Sequence, residues 1–140
     1  MGEKMTYKQA LIRSLILGVA FSVITILFIF IYNRVNNSNV HGRLYEYIVL
    51  MLNGCGAWLV IFCSFIGEDY RLFTITLYIS PVFVCLLLGN VIFLPLKNKQ
   101  WLTTRKFSFI LAGTYLFVNI ISGVLIFIMA VLAMSEYFGK

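Results

Sequence analysis

Residues 50–63 read LMLNGCGAWLVIFC. They sit inside a longer run, 47–67, that carries no charged residue over 21 positions. A soluble helix of that length shows a polar face, whereas this one is apolar on every side, as a bilayer-spanning or deeply buried helix is. Three more runs behave the same way: 14–32, 72–96 and 107–135 are also free of charge. A spanning helix needs about 20 residues. The last two runs exceed that length, which predicts tilt or an interfacial end. Transmembrane strands alternate over about 10 residues, and these runs do not, so a β-barrel is disfavoured. Backbone groups in hydrocarbon must bond internally, which leaves helices. The expected fold is therefore all-α: a polytopic membrane protein, a bundle of four transmembrane helices joined by short loops, in a single integral-membrane domain over 1–140.

Composition agrees. The chain has 140 residues, of which 61% are hydrophobic and 11% charged, against about 45–50% and 25% in soluble domains. Surface-to-volume scaling leaves a small soluble domain too little interior for that much apolar side chain. Lys4, Lys8 and Arg13 precede the first run, but no small-x-small cleavage site and polar mature domain follow it. This segment reads as a transmembrane helix and not as a signal peptide. Tyr32, Tyr45, Tyr47, Tyr70, Trp101 and Tyr137 fall near the ends of runs, where aromatic rings anchor at headgroup level.

The net charge of +6 does not point to nucleic acid, because the cations flank the apolar runs and suit anionic headgroups instead. Four crossings would put Lys4, Lys8, Arg13, Arg71 and Lys140 on one face. Arg34, Arg43, Lys97, Lys99, Arg105 and Lys106 would lie on the other. That is nearly a tie under the positive-inside rule. The first helix favours cytoplasmic termini, and the basic 97–106 loop favours the reverse. The expectation adopted is a bacterial inner membrane with both termini cytoplasmic.

The asparagine and glycines of 50–63 have a physical reading. Helices in lipid gain no hydrophobic free energy by touching, so small residues and hydrogen bonds mark their contact faces. The first run repeats Ser14, Gly18 and Ser22. The second carries Asn53, Gly56, Ala57, Ser64 and Gly67; the third Pro81, Cys85 and Gly89; the fourth Ala112, Asn119, Gly123, Ala130 and Ala133. Asn53, Asn90 and Asn119 are expected in the same half of the bundle, within about 10 Å along the membrane normal. Two readings of these amides stay open: glue between helices, or the lining of a polar pocket or path. Pro81 predicts a kink, with Ser80 and Thr76 available to freed carbonyls and a hinge as the functional alternative. Pro95 is expected to stop the same helix.

Catalysis has little to work with. His41 is the only histidine, Asp69 the only aspartate, and Glu3, Glu46, Glu68 and Glu136 lie at the flanks. No carboxylate pair, metal-ligand spacing or catalytic residue stands out, and no cofactor is expected. Cys55, Cys63 and Cys85 form no C-x-x-C pattern and read as small packing residues. No run contains an ionisable acid or base of the kind ion-coupled transport uses. The expected function is non-enzymatic: lateral binding to a membrane partner, as an accessory subunit or an immunity protein against a pore-forming toxin. The alternative is a small transporter or channel for a small molecule or lipid along an amide-lined path. Expected partners are membrane lipids and a membrane protein or a second copy. The contact or pocket candidates are Asn53, Asn90, Asn119, Gly18, Ser22, Gly56 and Gly123, with Pro81 as the hinge.

Overall fold

Thr6 and Gln9 open the first helix. The backbone N–H of Thr6 donates to Gln9 Oε1 at 2.9 Å, and the N–H of Gln9 donates to Thr6 Oγ1 at 3.3 Å. This reciprocal box satisfies two donors that a helix start leaves free. The polar residues expected to lie ahead of the span are thereby drawn into α1, Tyr7–Val35. Thr103 does the same for the last helix, taking the N–H of Lys106 at 3.4 Å on its hydroxyl and that of Phe107 at 2.9 Å on its carbonyl.

The computed structural model describes residues 5–35, 53–58 and 70–138. All regular structure among them is helical: α1, a short helical segment at 54–58, α2 (Tyr70–Leu96) and α3 (Thr104–Phe138). Among the described residues, three helices are long and apolar enough to cross a membrane. Of the second expected span, 47–67, only 53–58 fall within the described residues. Pro95 falls in the last turn of α2, and the helix ends one residue later at Leu96, as expected of a stop, before turns carry the chain to α3.

Each helix buries a stripe at intervals of four residues. The stripes are Ala10, Ser14, Gly18 and Ser22 on α1, and Pro81, Cys85, Gly89 and Phe93 on α2. On α3 they are Phe107, Leu111, Tyr115, Asn119 and Gly123. Ridges at i±4 are the ones that small-residue crossings interdigitate. On α3 this corrects the sequence reading. Asn119 and Gly123 are buried as expected, but Ala112 is only partly buried and Ala130 and Ala133 are exposed, while Leu111 fills the room beside Gly89. A Cβ on Gly89 would meet the Ser14 side chain and come within 3.8 Å of Leu111 Cδ2. Met5, Ala10, Phe93, Leu102, Phe107 and Leu111 close this end with an apolar cluster.

The contacts give the helix directions. Tyr7 meets Asn90 and Phe93, while Gly18 meets Pro81, Val82 and Cys85, so α1 and α2 are antiparallel. Phe107 packs on Phe93, and Tyr115 stacks on Phe21 with centroids 4.2 Å apart, so α3 runs parallel to α1. The start of α1, the 97–103 turn and the start of α3 therefore share one end of the bundle. The Val35 end of α1, the Tyr70 end of α2 and the last turn of α3 share the other. Four crossings would put both termini on one face. The helix that begins the described chain and the helix that closes it instead point their outer ends to opposite sides, because α1 and α2 run antiparallel.

Candidate functional site

Two polar residues inside the bundle, Asn53 and Ser80, meet at one break in α2. Pro81 has no N–H, so the carbonyl of Leu77 loses its helical donor. Two side chains take it over: Asn53 Nδ2 donates at 3.0 Å and Ser80 Oγ at 2.9 Å. Ser80 Oγ also lies 3.0 Å from Asn53 Oδ1, so its single proton serves two acceptors. The sequence points to Ser80 in this part. The donor it does not point to comes from outside the helix.

Asn53 stands at the N-cap position of 54–58, where its carbonyl accepts the N–H of Ala57 at 3.0 Å. An asparagine there commonly caps its own helix. Here its side chain is engaged with α2, and Asn119 of α3 caps in its place, with Oδ1 accepting the N–H of Cys55 at 3.0 Å. Asn119 Nδ2 donates to the carbonyl of Tyr115 at 2.8 Å, and Cys55 Sγ lies 3.5 Å from Ser122 Oγ. Asn53 and Asn119 are 2% and 0% exposed, so both amides are used on both ends and sealed from the surroundings. Hydrogen bonds of this kind between membrane helices contribute about 0.6–2 kcal/mol each.

Glycines make that seat possible. A Cβ on Gly54 would strike the carbonyl of Asn119 and come within 2.5 Å of the Gly123 nitrogen and 2.9 Å of Ser122 Cβ. One on Gly56 would strike Ser80 Oγ. On the other side of the break, a Cβ on Gly18 would stand 2.7 Å from Val82 Cα and 3.2 Å from the Pro81 carbonyl. Gly18, Gly56, Gly123 and Pro81 thus belong to one junction with Asn53 and Asn119. Ser22 is buried on the same stripe of α1, and its Oγ has no hydrogen-bond partner among the described residues.

Asn90 does not join them. Tyr7 Oη donates to its Oδ1 at 2.8 Å, and its Nδ2 donates to the Leu86 carbonyl at 2.9 Å. It lies ten residues beyond Ser80 on α2, about 15 Å along the axis at 1.5 Å per residue, beside a shallow crevice lined by Ala10, Ser14 and Gly89. The vertical proximity expected of three asparagines holds for two. Sequence reasoning misses Tyr7, Gly54 and Ser122: Tyr7 reads as part of the flank, and nothing local distinguishes Ser122 from other lipid-phase serines.

Among the described residues, no three His, Cys, Asp or Glu side chains come together to hold a metal ion. Cys55 and Cys85 are free thiols. His41, Cys63, Glu68 and Asp69 lie outside the described residues. What the fold defines is a class, a helical membrane protein whose polar groups are turned inward on one another. Comparison with known families, with characterised proteins and with solved structures finds no match.

Proposed function

We propose that this is a non-enzymatic integral membrane protein that works by lateral binding to another membrane component, in the manner of an accessory subunit or an immunity protein. One observation carries the reading. Asn53, Asn90 and Asn119 spend the amide hydrogen bonds described above on the chain's own groups, which leaves the outer faces of the helices as the surface for action. The most open is α3, of whose spanning window 11% is buried. A path lined by free amides, the transport alternative, finds no support in this pattern.

The same reading includes a topology. The Val35 and Tyr70 ends lie together, so an even number of crossings separates them. Residues 36–69 are too few for two spanning helices at about 20 residues each. We infer three crossings, with 53–58 reaching the interior without completing a fourth. Lys8, Arg13, Lys97, Lys99, Arg105 and Lys106 then fall at one end against Arg34 and Arg71 at the other among the described residues. The near tie of four crossings becomes a strong positive-inside bias, and the 97–106 end is cytoplasmic.

Photo-crosslinkers placed at Leu132 and at buried Leu111 in native membranes test the binding. A discrete protein adduct at Leu132 and none at Leu111 is expected; lipid adducts alone at Leu132 would overturn it. Conductance or flux in liposomes that disappears in folded Asn53→Leu and Asn119→Leu variants would restore the transport alternative. For topology, cysteines introduced at Lys8 and Ser135 should label from opposite sides of the membrane, and labelling from one side would restore an even crossing number.

A further inference from the structure

The helix directions bring together cations that are far apart in the chain. Lys8 lies in the first turn of α1, Lys97 and Lys99 in the turn after α2, and Arg105 and Lys106 in the first turn of α3; all are exposed. Arg13 lies about 8 Å further along α1 at 1.5 Å per residue, on a side chain long enough to reach back toward the surface. Nothing acidic answers them within these elements: residues 5–35 and 70–135 contain no Asp or Glu.

Their positions are also unfavourable on their own terms. A helix N-terminus carries partial positive charge and is stabilised by anions. The first turns of α1 and α3 contain no acid and hold three of the cations. Charge is thus concentrated where the backbone already disfavours it, and the compensation must come from outside the described helices. The surroundings fit an interfacial partner. Trp101 is 47% exposed, with Lys106 Nζ 5.8 Å from its ring centroid, and Tyr7 is 52% exposed with its hydroxyl held by Asn90. Such rings sit at headgroup level.

We propose that this end of the bundle is a binding collar for anionic phospholipid head groups, formed by Lys8, Lys97, Lys99, Arg105 and Lys106 around Trp101. It rests on the helix directions and not on the lateral-binding reading, so either can fail alone. A cation near an anionic surface contributes about 1 kcal/mol, close to a fivefold factor in local lipid concentration.

The full chain carrying Trp58→Phe, reconstituted in vesicles, leaves Trp101 as the sole tryptophan. Tail-brominated phosphatidylglycerol and phosphatidylcholine are then compared as quenchers at equal low mole fraction. Quenching by the anionic lipid that corresponds to about fivefold enrichment or more is expected, falling toward the phosphatidylcholine value in high salt. The substitutions Lys97→Gln, Lys99→Gln, Arg105→Gln and Lys106→Gln together should abolish the difference, and Arg34→Gln should leave it intact. Equal quenching by the two lipids, or a preference that survives both salt and the fourfold variant, overturns the proposal. Should the fourfold variant fail to fold, Lys8→Gln with Lys99→Gln and the salt series on the parent chain decide between the same two outcomes.

Discussion

The two halves of α3 are built from similar residues and end in different environments. Up to Gly123, every fourth residue is buried against α1, α2 or 53–58. Beyond it the stripe stops, and residues 127–135 are exposed throughout although Phe127, Ile128, Val131 and Leu132 are as apolar as anything before them. Hydrophobicity does not decide which half packs, because lipid accepts both equally. What differs is the presence of small partners: Gly54 faces Asn119, Ser122 and Gly123, and Gly89 faces Leu111 in the first half.

The comparison can be broken most severely at the glycines. Gly54→Leu or Gly18→Leu should cost about 3 kcal/mol or more, since overpacking against backbone has no flexible side chain to relax. Reversible unfolding of the reconstituted protein should show this, and a cost under about 1 kcal/mol would mean the close approaches are not stabilising. Asn119→Leu should cost about 1–3 kcal/mol in the same assay by stranding the Cys55 N–H. Pro81→Ala sharpens the account. A restored N–H gives the Leu77 carbonyl its own helical donor, so Asn53→Leu should cost about 1 kcal/mol less in that background. Additive effects would separate Asn53 from the proline break. Gly113→Ala and Leu132→Ala should fall within about 1 kcal/mol of the parent, because a Cβ at Gly113 meets nothing within 4 Å and Leu132 is 60% exposed.

Much of the bundle is legible in the residues. Three of the four apolar runs appear as helices extended by their polar caps, and the stripes on α1 and α2 follow Ser14–Gly18–Ser22 and Pro81–Cys85–Gly89. The stripe on α3 is legible only at Asn119 and Gly123, because Phe107, Leu111 and Tyr115 are too bulky to mark a contact face on their own. Topology is hidden for a related reason. Charge-free length at 47–67 says that residues tolerate hydrocarbon, and it does not say that they traverse it. Asn53 and Asn119 can be named as interior amides, but their carbonyl and N–H partners depend on which helices meet. Depth counted along the runs groups Asn90 with them, although the helix directions carry it to the other side of the proline break.

The junction at Pro81 also sets an order of events during synthesis. Leu77, Ser80 and Asn119, which receive Asn53 and the Cys55 N–H, all follow 53–58 in the chain, so its seat exists only once α2 and then α3 are in place. Until that moment the segment holds donors and acceptors that hydrocarbon cannot satisfy. Its polar groups are therefore answered only by the assembled helices, and the molecule is completed from its middle.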